Sequence, residues 1–134
     1  MAECYHQDIE FSDAVFPHLK GFKAKAMWRM LCERATDLDI KLSNIKADDS
    51  QGTAHWDADY TFSKTGNKVH NSIDAAFQFN DGKIIKHTDS FDLWKWAGMA
   101  LGMKGRLLGW LPPVQAAIRK EANDNLEKFV KKIS

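Results

Sequence analysis

From Trp56 to Phe91 apolar and polar residues alternate, and two turn signals interrupt the pattern. Trp56, Ala58, Tyr60 and Phe62 share one parity, while His55, Asp57, Asp59 and Thr61 share the other. After Thr65-Gly66-Asn67, the residues Val69, Asn71, Ile73, Ala75, Phe77 and Phe79 share a side, opposite His70, Ser72, Asp74 and Gln78. Alternation continues from Lys83 to Phe91. A period of two is the signature of a strand with one buried face. Asn80-Asp81-Gly82 supplies the positive φ values of a tight type I′ hairpin turn. Three long strands therefore form an antiparallel meander with one apolar face.

The flanking segments provide cover for that face. Phe22 to Thr36 reads as a helix whose apolar stripe is Ala24, Met27, Trp28, Leu31, Cys32 and Ala35. Pro17 and Gly21 mark a turn before it, and Met1 to Phe16 is short and mixed. Leu38, Ile40 and Leu42 alternate with polar residues and predict a half-buried strand. Leu93 to Met103 is a Trp- and Met-rich helical piece. Pro113 opens a last helix, with Val114, Ile118, Ala122, Leu126, Phe129 and Ile133 on one face. Lys128, Lys131 and Lys132 suit its C-terminal dipole. The expectation is an α+β fold: a cone-shaped, curved antiparallel sheet packed on helices, one domain over residues 1–134. The mouth of such a cone is the default ligand site.

Composition narrows the partners. The formal net charge is only +1 and both signs are spread along the chain, which argues against nucleic acid. Cys4 and Cys32 have no metal-ligand spacing and make no disulfide framework. The start has no signal-peptide pattern, and the apolar stretch Ala97 to Leu111 carries Lys104 and Arg106 and is too short to span a bilayer. A cytoplasmic protein with no membrane partner is expected. There is no Gly-rich phosphate loop, no serine or cysteine nucleophile motif and no metal spacing among His6, His18 and His70. Neither metal nor cofactor is expected, and the partner is a small apolar molecule or a second copy of the chain.

The candidate chemistry lies in the polar residues on the apolar parity. Ile85, His87, Asp89 and Phe91 share a side of the last strand. If Ile85 and Phe91 face the core, His87 and Asp89 do too. A carboxyl in an apolar pocket has a raised pKa and becomes a better base. Asp89 is the candidate acid–base group, with His87 to orient or tune it. Asn71 and Tyr60 are placed to hydrogen-bond a substrate, and Trp28, Trp56 and Phe91 to line the pocket. Against this stands the reading of a buried His–Asp pair as a satisfied structural contact, and of the aromatics as plain core. Trp94, Trp96, Met99 and Met103 suit a lid, a partner surface or simple packing. His55, Asp57 and Asp59 belong to the outer face.

Gly82-Lys83-Ile84-Ile85-Lys86-His87-Thr88-Asp89-Ser90-Phe91-Asp92 resembles the final-hairpin signature of SnoaL-like proteins in the nuclear transport factor 2-like superfamily. Phe11-Ser12-Asp13-Ala14-Val15-Phe16 followed by Leu19-Lys20-Gly21 resembles that family's entry into the helix below the pocket. Trp56 to Phe62 and Val69 to Ile73 fit its central hairpin. The resemblance implies the cystatin-like roll of that superfamily, which includes polyketide cyclases, ketosteroid isomerases, scytalone dehydratases and epoxide hydrolases. In the cyclases a His-x-Asp pattern on this strand carries the acid–base aspartate, which implies that role for Asp89 beside His87. The epoxide hydrolases place an arginine next to the aspartate, where this chain has Thr88. Cofactor-free cyclase, isomerase or dehydratase chemistry is thus the first reading. A non-catalytic ligand-binding or assembly module is the alternative, and epoxide hydrolysis a second one. Met1-Ala2-Glu3-Cys4-Tyr5 resembles only the tail of the long first helix of relatives. Its loss would bare several hundred Å² (roughly) of apolar surface, a patch that seeks a partner, so a homodimer is expected.

Overall fold

The computed structural model describes residues 4–35 and 37–133. Six strands form one sheet: β1 (Tyr5–Ser12), β2 (Leu19–Lys20), β3 (Asp39–Ala47), β4 (Gln51–Thr61), β5 (Lys68–Asn80) and β6 (Lys83–Ser90). Four helices accompany it: α1 (Phe22–Arg34), α2 (Leu93–Ala100), α3 (Met103–Leu108) and α4 (Pro112–Ile133). The strand order is β2-β1-β6-β5-β4-β3, and the sheet is curved without closing. The meander β4–β5–β6 is antiparallel throughout, as the alternation predicts. At its hairpin Asp81 and Gly82 both have positive φ, 53° and 75°, the pair of values that a type I′ turn requires. The fold is α+β, in agreement with the sequence.

The start of the chain departs from expectation. Tyr5, read as the tail of a helix, opens β1, and β1 runs parallel to β6. Of the rest of that reading, Cys4 is exposed and Met1 to Glu3 lie outside the described residues. β1 sends Tyr5, Ile9 and Phe11 into the main core, where they meet Met27 and Met30 of α1 and Leu126 and Phe129 of α4. Apolar surface at this end is therefore covered from the far end of the chain. Helix α4 is pinned there by Arg119 Nε donating to the Ala14 carbonyl at 2.7 Å, by Asn123 donating to the Val15 carbonyl, and by a Lys23–Glu127 ion pair.

Four further expectations need correction. The stripe on α1 is rotated: Ala24, Ala26, Met27 and Met30 are buried, Trp28 is half-buried, and Leu31 and Cys32 are exposed. The helix ends at Arg34 with Ala35 as C-cap, and Thr36 lies outside the described residues. The strand with Ile40 and Leu42 forms but is exposed along its whole length, because it is the sheet edge and no helix lies over it. In β6 the register slips between Gln78 and Phe79 of its partner, so that Phe79 faces Ile84 and Gln78 faces Lys86. This bulge puts Ile84, not Ile85, against the main core, yet past it His87 and Asp89 face inward as expected. The Trp- and Met-rich piece is two helices, broken at Leu101-Gly102, and Asp92 caps the first by accepting from the Lys95 backbone N–H.

Candidate functional site

β6 carries His87 and Asp89, which are 1% and 4% exposed. Their side chains meet, with His87 Nε2 2.6 Å from an Asp89 carboxylate oxygen. The other ring nitrogen, Nδ1, lies 2.6 Å from the hydroxyl of Tyr5 on the neighbouring strand β1. That hydroxyl accepts from the indole N–H of Trp28 on α1 at 2.8 Å. The proton directions follow from what each group can give. Trp28 can only donate, so the Tyr5 oxygen accepts from it and the Tyr5 O–H is free to donate to His87 Nδ1. Nε2–H then donates to Asp89. Burial raises the pKa of the Tyr5 phenol, which keeps that hydrogen in place.

Aromatic rings enclose the pair. The Trp28 indole stacks on the His87 ring with centroids 5.9 Å apart at 14°. Trp28 also touches Trp56, and Phe11 and Phe77 lie against His87 at 5.0 and 4.5 Å. Trp56, Ile73 and Ala75 form a second apolar cluster, with Trp28, Phe77 and Phe91 packed on it. Of the residues expected at the site, His87, Asp89, Trp28, Trp56 and Phe91 thus come together.

Tyr60 and Asn71 sit farther along. They are on the same inner face, two steps apart in the β4–β5 ladder with the Asp59–His70 pair between them. Asn71 is four residues along β5 from Ala75, the cross-strand partner of Asp89, or roughly 13 Å. Its amide makes no hydrogen bond among the described residues. The Tyr60 hydroxyl accepts from the Trp96 indole at 2.8 Å, and burial raises its pKa.

The group that sequence reasoning passed over is Asp13. The β1–β6 ladder pairs Phe11 with His87 and Ser12 with Thr88. Asp13 comes directly after the last pair, just beyond the end of β1, within electrostatic reach of Asp89 and His87. One of its carboxylate oxygens accepts the backbone N–H groups of Val15 and Phe16 at 2.8 and 2.6 Å. Burial pushes its pKa up to about 6 against those two hydrogen bonds, and the Asp89 charge adds to the rise. The Asp13 charge in turn bears on Tyr60. Asp13 therefore links the two halves of the site. Its place was legible only as a parity in Ile9, Phe11 and Asp13, once β1 is known to be a strand.

The second oxygens of Asp13 and Asp89 and the Asn71 amide take no hydrogen bond, yet no shut-off side-chain oxygen or nitrogen lacks a partner among the described residues. These atoms therefore border accessible space. Two open clefts lie elsewhere. One, of about 620 Å³, is on the outer sheet face between Lys46, Gln51, Gln78 and Lys86. The other, of about 400 Å³, lies between α2 and α3. His55, Asp57 and Asp59 sit on the outer face, as expected, interlocked with His70, Ser72 and Asp74. No cluster of metal-ligating side chains occurs among the described residues.

The family model described as a SnoaL-like domain matches residues 1–87. Solved structures agree at the level of fold. A protein with a ketosteroid isomerase-like fold from Catenulispora acidiphila, in complex with trimethylamine, superposes with a TM-score of 0.67 at 11% identity, covering 83% of this chain and 84% of that one. A putative SnoaL-like polyketide cyclase from Jannaschia sp. gives 0.63 at 15% identity, over 72% and 73% of the two chains. An epoxide hydrolase from Mycobacterium tuberculosis gives 0.60 at 18% identity, over 81% and 80%. No protein of curated function matches the chain by sequence. With the family model spanning well over half of its length, the chain belongs to the SnoaL-like domain family, on the nuclear transport factor 2-like fold.

Proposed function

We propose that the protein binds a small, mostly apolar molecule against the inner face of the sheet and moves a proton on it with the carboxyl pair Asp13 and Asp89. The reading is cofactor-free acid–base catalysis of the cyclase, isomerase or dehydratase type. One observation carries it: Asp13, just past the Ser12–Thr88 pair that ends the β1–β6 ladder, lies within electrostatic reach of Asp89, and each carboxyl has one oxygen held and the other bordering accessible space. Adjacent carboxyls do not ionise alike. One Asp89 oxygen is occupied by the His87 N–H. Asp13, raised to about 6, is poised to take and return a proton near neutral pH. Trp56, Phe91 and Trp28 are the apolar wall, and Tyr60 and Asn71 the polar end that orients the substrate.

The test pairs binding with turnover. A screen of small ring compounds by thermal shift finds ligands, since a ligand at 100 times its Kd adds about 2.7 kcal/mol. Compounds that bind are then assayed for conversion. Asp13→Asn and Asp89→Asn should still bind and should each lower the rate by roughly 10² to 10⁴. Unchanged turnover in both variants would sink the acid–base reading.

A second reading rests on a different observation. Trp28, Trp56, Phe11 and Phe77 pack directly on the His87–Asp89 pair, and Asp89 is only 4% exposed. On that basis the network is structural and the protein a ligand-binding or assembly module. Binding without conversion by any compound favours this second reading. Epoxide opening has the weaker support, because no arginine hydrogen-bonds Asp89 among the described residues.

A further inference from the structure

The segment from Leu93 to Lys120 contains no acidic residue, although the whole chain is close to neutral. It folds into α2, α3 and the start of α4. Its first part carries half of the large exposed apolar side chains of the described protein: Trp94, Met103, Leu107, Leu108 and Trp110. Met103 and Trp110 are 72% and 55% exposed. Among them stand three exposed cations, Lys95, Lys104 and Arg106, none in an ion pair among the described residues. Lys95, Arg106 and Trp94 line one open cleft of about 400 Å³, with a single carboxylate, Asp92, at its edge, one oxygen of which is taken by the Lys95 backbone N–H.

The presenting surface is held firmly. A Cβ on Gly105 would lie 2.0 Å from the Ala97 carbonyl oxygen, so α2 and α3 cross backbone to backbone. The Trp94 indole N–H donates to the Arg106 carbonyl, and that of Trp110 to the Leu107 carbonyl. The apolar residues are thus not a frayed end but a fixed array with cations interspersed.

Charge selects the occupant. A second copy docked here by a two-fold axis would set three cations against three cations. An apolar ligand alone leaves the cations without a role. Indoles, aliphatic tips and Lys and Arg without ion-pair partners among the described residues, on one rigid helix pair, suit the headgroup level of an anionic bilayer. We propose that the α2–α3 hairpin docks the protein on anionic lipid surfaces, lying on the membrane without crossing it. The hairpin also borders the candidate site, since Trp96 of α2 donates to Tyr60. Docking would hold that site next to the phase in which apolar molecules concentrate. The surface argument does not depend on catalysis.

Co-sedimentation with vesicles tests it directly. The intact protein should bind vesicles of phosphatidylglycerol and phosphatidylcholine, and bind pure phosphatidylcholine at least tenfold more weakly. Raising the salt to about 0.5 M should release it. The double variant K104E/R106E should lose more than tenfold in binding, with an unchanged circular-dichroism spectrum. Brominated lipid should quench tryptophan fluorescence of the unaltered protein, a readout that needs no variant. Absence of binding to anionic vesicles overturns the proposal. So does binding that K104E/R106E leaves intact, or light scattering that shows the surface consumed in an oligomer dispersed by the same variant.

Discussion

At the scale of single residues, the buried line Trp28–Tyr5–His87–Asp89 does two jobs. It satisfies every donor it contains, and it fixes which imidazole nitrogen faces the carboxylate. Tyr5→Phe keeps the ring packing but strands the Trp28 N–H and His87 Nδ1. The expected cost is ~1–3 kcal/mol in urea denaturation, together with a change of histidine tautomer seen in ¹⁵N shifts. A variant as stable as the parent, with the tautomer unmoved, would show that the hydroxyl does not set it. Asp13 carries the opposite kind of tension. Its folded pKa, about 6, lies above the ordinary 3.8, so between those values the folded state binds more protons than the unfolded one. Stability then falls as pH rises through that window, by on the order of 2–3 kcal/mol, and does not return above it. Asp13→Asn can still accept the Val15 and Phe16 N–H groups and removes the ionisation. Parent minus variant stability should drop from pH 4 to pH 6.5, and a flat difference would contradict the burial argument. Carboxylates held low at the surface, such as Asp37, Asp48 and Asp57, act near and below pH 4 and cancel in that difference.

At the scale of elements, two features depend on close backbone approach or added length. The α2–α3 crossing has room only for glycine at position 105. Gly105→Ala gains a little helix propensity but forces the helices apart, for a net loss of ~1–3 kcal/mol. A melting temperature several degrees lower is expected, and an unchanged one would mean that the hairpin is slack. The bulge in β6 is the second feature. It turns Ile84 to the core and yet restores the parity at His87 and Asp89, so one added residue re-aims a strand without moving the site.

At the scale of the whole molecule, the sheet is covered unevenly. α1 and α4 cover the β1 side, and α2, with α3 packed on it, the end near β5. The edge strand β3 keeps Ile40, Leu42 and Ile45 exposed, Leu42 at 62%. Edges of this kind seek a partner strand or a covering surface. The homodimer proposed from the sequence is therefore best placed there, away from the cationic hairpin. Light scattering should give twice the mass of the 15.2 kDa chain, and Leu42→Lys with Ile45→Lys should give the single mass. A monomeric parent would remove this proposal and leave the site untouched.

Much of this was legible in the chain because strand parity is local. The meander, the Asp-Gly hairpin, the inward setting of His87 and Asp89 and the last helix each follow from neighbours a few residues apart. The exposure of β3 was not legible, because alternation reports which side is apolar and not whether anything covers it. Nor was the stripe of α1, where Trp28 is drawn toward Tyr5 and His87 instead of to the centre of the buried face. The strand β1 needs β6 as a parallel partner, and Tyr5 lies 82 residues from His87. Contacts of that separation leave no periodic trace in either segment. The sequence by itself thus determined the pleated face and the carboxylate on it; only the tertiary structure brought Tyr5 to His87 and Asp13 near that carboxylate, because register between distant strands is chosen by burial of the whole sheet.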